Sequence, residues 1–231
     1  MWQELRTELR PKGLEIVTIA LDVGGVEAAA KFIDYAKPDH PALIDQAHLL
    51  DELFGVVNVP TGIWIDEAGI IVRPPEAAWP GKAVFRDMIP KELPPDTDPW
   101  IVKALDVTAR IPTDPERYAA ALRDWAERGA DSPYALSPDE VLARSRPRSP
   151  DSGLAAAHFE LGQHLHRAGH PDDAVPHFRE AHRLQPDNWT YKRQAWSFAD
   201  VLQRPNDVYE GDWAGDVEKA GPENYYVLPD F

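Results

Sequence analysis

Cysteine is absent from all 231 residues of this chain. A disulfide, a thiolate nucleophile and a thiolate metal site are therefore excluded within it. Long apolar runs are also absent, since none approaches the ~20 residues that a membrane-spanning helix needs. Basic residues are few: 24 Lys and Arg stand against 39 Asp and Glu, and the formal net charge is −15. This acidity argues against nucleic acid and anionic membranes as partners, because phosphate binding needs a basic face.

Hydrophobic residues make up 43% of the chain, including eight Trp, seven Tyr and seven Phe. This content is enough to bury a core in one large domain or two small ones. No phosphate loop, serine elbow or zinc motif is present, so no cofactor and no catalytic residue is expected. The lack of cysteine fits a cytoplasmic location, which we take as the expectation.

Negative charge is concentrated after residue 204, where residues 205–231 contain seven acidic residues and one basic residue. We interpret this segment as an irregular, solvated acidic tail. A docking strip for a basic partner is the alternative interpretation.

The first third of the chain alternates between helical and strand patterns. Leu14–Leu21 is a β-branched apolar run, which predicts a buried strand, and residues 41–44 predict a short second one. The segments 62–66 and 70–73 flank a Glu-Ala-Gly turn and predict a hairpin. Helical spacing of apolar residues predicts helices at 2–10, 26–37 and 46–54.

The remaining two thirds read as mostly helical. The proline-rich stretch 74–99 predicts a loop with one short helix near 82–88, and 144–152 has the composition of a linker. Helices are expected at 114–128, from 137 onward, and at 153–168, 171–184 and 188–202.

The element order, with Leu14–Asp22 and Val59–Asp66 as its most specific segments, resembles the thioredoxin-like redoxins. These include the thiol-disulfide oxidoreductases and the alkyl hydroperoxide reductases. The resemblance implies a cis peptide bond before Pro60, although only ~5–6% of X–Pro bonds are cis. It also implies that the backbone before Pro60 is free to pair with an extended substrate. Val59, Pro60 and Thr61 are therefore the expected binding residues.

The pattern departs from that family at its start. Family members open with a buried strand and a cysteine-bearing turn, whereas this chain begins in the helix that follows. The absent strand would lie between segments 14–21 and 62–66, where unpaired backbone is costly if buried. We favour a longer natural protein that carries the strand upstream of Met1. Alternatives are that 224–228 fills the position, that a second chain does, or that a different arrangement lacks nothing.

A second resemblance lies between residues 153 and 187, which follow the 34-residue tetratricopeptide pattern. Its residues are His158, Leu161, Gly162, Leu165, Gly169, Ala174, Phe178, Ala181 and Pro186. Small residues are expected at the helix crossing, with Leu161, Leu165, Phe178 and Leu184 filling the space between the helices. About three repeats are needed for independent stability. We therefore expect a helical hairpin packed on the rest of the protein or on a second subunit.

Six of the eight histidines lie between residues 158 and 182. Of these, only His166 and His170 have the four-residue helical spacing of a ligand pair, and Gly169 interrupts the helix between them. We favour solvated or interface histidines and keep this pair as the metal-site alternative.

The predicted fold is α/β: a thioredoxin-like mixed sheet lacking its first strand, followed by an all-α tetratricopeptide-like region. The expected divisions are an incomplete thioredoxin-like domain at 1–95, a helical connector at 96–150, the hairpin with a capping helix at 151–204, and the acidic tail at 205–231.

We predict a protein-binding or scaffold module without redox cysteines, or the truncated remainder of a thiol-disulfide oxidoreductase. Its partner is another protein or a second copy, a homodimer included. A thiol-dependent enzyme whose active segment lies upstream or on a partner chain is one alternative. A histidine-cluster metal protein is the other.

Overall fold

A computed structural model describes residues 1–81, 93–145 and 147–231 of the chain. The short helix predicted near residues 82–88 lies outside the described residues. The N-terminal part mixes helices and strands, and the C-terminal part is helical.

The N-terminal third contains the predicted elements, each within a few residues of its expected place. They are α1 (Trp2–Leu9), β1 (Thr18–Leu21), α2 (Gly25–Ala36), β2 (Ala42–Asp45), α3 (Leu49–Phe54), β3 (Thr61–Ile65) and β4 (Ile71–Ala77). The β3–β4 turn has a local cause. The Asp66 carboxylate accepts the N–H of Ala68 at 3.0 Å and of Ile70 at 2.8 Å, and Gly69 adopts φ +80°. The predicted hairpin is thus confirmed.

The described strands form two separate sheets. β1 runs parallel to β2 with Thr18 opposite Ala42, and β3 runs antiparallel to β4 with Thr61 opposite Ala77. The single mixed sheet expected from the redoxin resemblance is therefore not confirmed.

Three helices follow: α4 (Pro99–Arg110), α5 (Pro115–Arg128) and α6 (Pro138–Arg144). Each begins with a polar N-cap followed by proline: Asp98, Asp114 and Ser137 each accept a backbone N–H from the first turn. The sequence reading missed α4, although Asp98–Pro99 repeats the start signal of α5.

The C-terminal helices are α7 (Pro150–Arg167), α8 (Pro171–Leu184) and α9 (Trp189–Ala199). Ser149 caps α7, so the predicted linker is shorter than expected, because its last three residues are helical. Pro176 lies inside α8, which remains one helix.

The segment after residue 204 is folded, so its prediction as an irregular, solvated tail is wrong. It contains α10 (Trp213–Ala220) and buries Tyr209, Val217 and Tyr225. Apolar side chains on an acidic segment explain this outcome, because they pack inward while the carboxylates stay at the surface. Residues 224–228 form no strand, which removes them as the missing strand.

The buried apolar side chains of the described residues form two cores. The first joins α1, β3, β4 and α5, with Leu9, Trp64, Tyr118 and Leu122 among its buried residues. The second joins α4 and α7–α10, with Val107, Phe159, Phe178, Tyr191, Trp196 and Val217 among its buried residues.

Packing inside the α7–α8 hairpin depends on one glycine. A Cβ on Gly162 would stand 2.9 Å from the Phe178 ring, so only glycine lets the two helices approach this closely. Leu165 and Leu184 pack against the core as predicted. Leu161 is instead 42% exposed, so its predicted place between the helices is wrong.

His182 should make the helical region less stable in acid. Burial lowers its pKa from 6.5 to about 4, so the folded state holds it neutral while the unfolded chain binds a proton below pH 6.5. Stability is therefore lost as pH falls from 6.5 towards 4, by about 2 kcal/mol at pH 5. Urea denaturation at pH 7.5 and 5 should show this loss reduced in His182→Gln. The exposed His170→Gln substitution is the control and should keep the full loss; equal pH dependence in both variants would contradict the assignment.

Candidate functional site

Each of the four described strands pairs with another strand on one side only. β1 pairs with β2 on one side and β3 pairs with β4 on one side, and no strand within residues 1–81, 93–145 and 147–231 pairs with the opposite edge of either. An unpaired strand edge presents a row of backbone N–H and C=O groups that can bind another strand.

Both strands line one groove of about 1300 Å³. Residues Thr18, Ile19 and Leu21 contribute from β1, and the whole of Thr61–Ile65 contributes from β3. Helices α4 and α5 supply much of the remaining wall, and Trp64, Trp79, Trp100, Trp125 and Trp213 all line the groove. Small-molecule sites usually measure ~300–1,000 Å³, so this volume favours a larger ligand.

The expected binding residues Val59, Pro60 and Thr61 all line the groove. The Val59–Pro60 peptide bond is cis, as the redoxin resemblance implies. The carbonyl of Pro60 accepts the N–H of Ala78 at 3.2 Å, which links this loop to the end of β4.

The backbone of Val59 is already hydrogen-bonded, unlike the free backbone that the resemblance implies. Its N–H donates to the Asn58 side chain at 2.9 Å, and its carbonyl accepts the Tyr226 hydroxyl at 2.9 Å. The Asn58 amide also donates to the carbonyl of Tyr225 at 2.8 Å. The C-terminal segment thus covers the residue at which a redoxin would pair with its substrate.

Asp51, at the start of α3, is a groove residue that the sequence reading missed. Its side chain is buried, with the residue 2% exposed, and its Oδ2 lies 2.9 Å from Nδ1 of His48. Its Oδ1 has no hydrogen-bond partner among the described residues. The His-x-x-Asp spacing was the available signal. Side chains three residues apart on a helix lie on the same face, so His48 and Asp51 can contact each other at the start of α3.

Trp79 supplies the other unpaired polar atom. Its Nε1 is buried and has no acceptor in the described part of the chain. The ring packs edge-on against Tyr226, with centroids 5.8 Å apart, which places it beside the Val59 contact. Two residues of the groove lining therefore carry buried unpaired polar atoms: Asp51 has an acceptor and Trp79 has a donor.

Tyr118 lines the groove with an uncharged hydroxyl group. Burial raises the pKa of its hydroxyl to about 12, so the group keeps its proton and accepts the indole N–H of Trp64 at 3.1 Å. A Cβ on Gly62 would lie 2.5 Å from this hydroxyl oxygen. Glycine at this position of β3 therefore lets the strand lie against the tyrosine.

The histidine cluster does not assemble a metal site in the described residues. No group of three or more potential ligands is brought together there. His166 stacks on Phe198 with centroids 3.8 Å apart, and burial lowers its pKa. His170 is exposed and lies 3.9 Å from Asp173. His158 and His177 lie against each other with Nδ1 atoms 2.9 Å apart.

None of the described helices is both long and apolar enough to cross a bilayer. This finding agrees with the sequence expectation of no membrane span.

Comparison with protein families identifies one repeat. The tetratricopeptide repeat family model matches residues 155–188, which confirms the second resemblance and covers most of α7, all of α8 and the loop before α9. The repeat indicates a protein-binding or scaffold role. Neither the curated proteins nor the solved structures contain a match to this chain.

Proposed function

We propose that this chain is a polypeptide-binding module that receives an extended strand of another protein in the groove along β1 and β3. One observation carries the proposal: β1 and β3, each paired with a neighbouring strand on one side only, both line the same groove. A guest strand lying there would pair with both edges and give the order β2, β1, guest, β3, β4. Strand addition is a general mode of peptide recognition in which main-chain hydrogen bonds supply affinity.

The chemistry of the groove supports a polypeptide ligand. Tryptophan rings are enriched among the residues that dominate binding at protein interfaces, and six of them, Trp2 included, line this groove. A peptide also carries donors and acceptors along its length, which matches the unpaired Asp51 oxygen and the unpaired Trp79 N–H.

The tetratricopeptide repeat acts in this proposal as a scaffold that braces the groove. The helix after it, α9, contacts the N-terminal part directly. The N–H of Trp189 donates to the carbonyl of Val57 at 2.7 Å, and the Gln194 oxygen accepts the N–H of Val23 at 3.1 Å. The helical region thereby supports the loop before Pro60 and the turn after β1.

A relation to the redoxins belongs to the same proposal. The element order supports it. Because the chain contains no cysteine, the proposed relation is one of fold and not of thiol chemistry within this chain. The alternative is a thiol-dependent enzyme whose reactive cysteine lies on a partner polypeptide. This alternative predicts that the complex of this chain with its partner reduces disulfides faster than this chain alone.

Peptide binding and amide hydrogen exchange test the proposal together. Twelve-residue peptides selected from a random library on this chain should quench or shift its tryptophan fluorescence. Bound peptide should slow exchange in residues 18–21 and 61–65, because the strand edges become hydrogen-bonded.

A matched pair of substitutions in α4 locates the binding site. Ala104 lines the groove, whereas Ala109 is exposed on the same helix. Ala104→Trp should weaken peptide binding more than roughly tenfold by filling the groove, a loss of about 1.4 kcal/mol or more. Ala109→Trp should leave binding unchanged.

Three results would overturn the proposal. Slowed exchange confined to residues 150–199 would place binding on the repeat. Equal dissociation constants for the two tryptophan variants would remove the groove as the site. A concentration-dependent dimer with slowed exchange at β1 and β3, without peptide, would make a second copy of this chain the occupant.

A further inference from the structure

Asp51 is a residue of the groove lining, and it is the one carboxylate of the described residues with a buried side-chain oxygen that has no hydrogen-bond partner. It is 2% exposed, and only its Oδ2 is bound, by His48. A buried acceptor without a partner is costly, because it has lost its hydrogen bonds to water. A donor that enters the groove beside Asp51 would supply the hydrogen bond that Oδ1 lacks.

The proton arrangement around His48 keeps that oxygen an acceptor. Nε2 of His48 lies 3.2 Å from Oε1 of Gln194, which also accepts the N–H of Val23. Because a backbone N–H must donate, this amide atom is the oxygen, and Nε2 must carry hydrogen to reach it. One further proton lies between Nδ1 and Oδ2 of Asp51. Whichever of these two atoms holds it, Oδ1 of Asp51 can only accept.

Charge decides which donor fits best. The chain carries a formal net charge of −15, and Asp66 and Glu67 add acidic side chains to the same groove, against Lys12 and Arg193. A cationic donor gains both a charge-assisted hydrogen bond and attraction to the surrounding field. A neutral donor gains only the hydrogen bond.

We infer that the guest strand carries a lysine or arginine whose side chain binds Oδ1 of Asp51 and so fixes the register of the guest. This inference rests on the proposed strand-binding function and names the partner chemistry it would select. A one-residue slip of the guest would place that side chain on the opposite face of the strand. The basic residue should therefore occur at one fixed position of every strong ligand.

Peptide selection on the wild-type chain tests this chemistry. Ligands selected from the random twelve-residue library should be alternating apolar sequences with lysine or arginine at one position. Replacing that residue in the best peptide by glutamine and by norleucine should weaken binding roughly 10- to 100-fold. These changes leave the protein untouched, so they stay informative if protein variants fold poorly.

Two protein variants complete the test as a thermodynamic cycle. Asp51→Asn should weaken the basic peptide roughly 10- to 100-fold and leave the norleucine peptide unaffected. Glu67→Gln removes the same charge at an exposed position of the groove and should change binding less than about twofold.

The outcomes distinguish failure of this inference from failure of the proposed strand-binding function. If selected peptides bind the groove but contain no fixed basic residue, or bind Asp51→Asn with full affinity, the inference is wrong and the strand-binding function stands. If no peptide slows exchange at β1 and β3, the proposed function itself fails. A preference for glutamine over lysine would make Asp51 a site for a neutral donor and overturn the inference.

Discussion

Replacing Arg73 by alanine should lower the free energy of unfolding by about 3–5 kcal/mol, the usual cost of removing one partner from a buried ion pair. Arg73 is 1% exposed. Its Nε and Nη2 donate to the two oxygens of Glu76 at 2.6 and 3.0 Å. Its guanidinium also lies 4.5 Å from the centroid of the Phe231 ring.

The loss extends beyond the ion pair. Nη1 of Arg73 donates to the carbonyl of Tyr134 at 3.1 Å, and Nη2 donates to the carbonyl of Asp230 at 3.3 Å. These two bonds tie β4 to the segment before α6 and to the C-terminal residues. Without them the carbonyls and the Glu76 carboxylate lose their donors in a largely dry environment.

Arg128→Ala is the matched control for this prediction. Arg128 also pairs with an acidic residue, Asp124, at 3.4 Å, but its side chain is half exposed. Its loss should cost under about 1 kcal/mol. Urea denaturation of both variants measures the difference, and a cost for Arg73→Ala no larger than that of Arg128→Ala would show that this network does not stabilise the fold.

Phe178→Ala should destabilise the helical region by about 3–5 kcal/mol, because it removes a fully buried ring and leaves a cavity. Phe178 is 0% exposed. Its ring packs against Phe159 at 5.6 Å, Phe198 at 5.6 Å and Tyr209 at 6.2 Å between centroids. It therefore joins both helices of the repeat to α9 and to the C-terminal segment.

Leu161→Ala tests whether the loss of stability on truncation depends on membership of the repeat pattern or on burial of the side chain. Both positions belong to the tetratricopeptide pattern, but Leu161 is 42% exposed. Its truncation should cost less than about 1 kcal/mol. Thermal unfolding followed by circular dichroism should show a much larger loss of stability for Phe178→Ala than for Leu161→Ala. Similar losses of stability would mean that the Leu161 side chain is packed and not exposed.

Local patterns predicted most elements of the N-terminal third. A β-branched apolar run identified β1, and the Glu-Ala-Gly turn identified the β3–β4 hairpin, because both signals depend on residues close in sequence. The same reasoning missed α4 and α10. The Asp98–Pro99 start signal was present but lay beside a proline-rich stretch, and the acidic composition of residues 205–231 hid the apolar face of α10.

The candidate site was predictable only in part. Val59, Pro60 and Thr61 were named from a sequence resemblance, and they do line the groove, while their role in binding stays a prediction. Asp51 was passed over although its partner His48 lies three residues before it, because that spacing does not report burial and because Gln194, which holds His48, lies 146 residues from the histidine. No pattern along the chain reports such a contact.

The sequence by itself determined that no thiol chemistry occurs within this chain, that one tetratricopeptide repeat lies near its C-terminal end, and where most helices and strands form. These properties follow from composition and from spacings of a few residues. Tertiary structure alone decided that the described strands divide into two sheets, that β1 and β3 line one groove, and that the acidic C-terminal segment folds over Val59. Each of these depends on backbone pairing or burial between segments far apart in the chain, where the packing of the whole molecule outweighs any local preference.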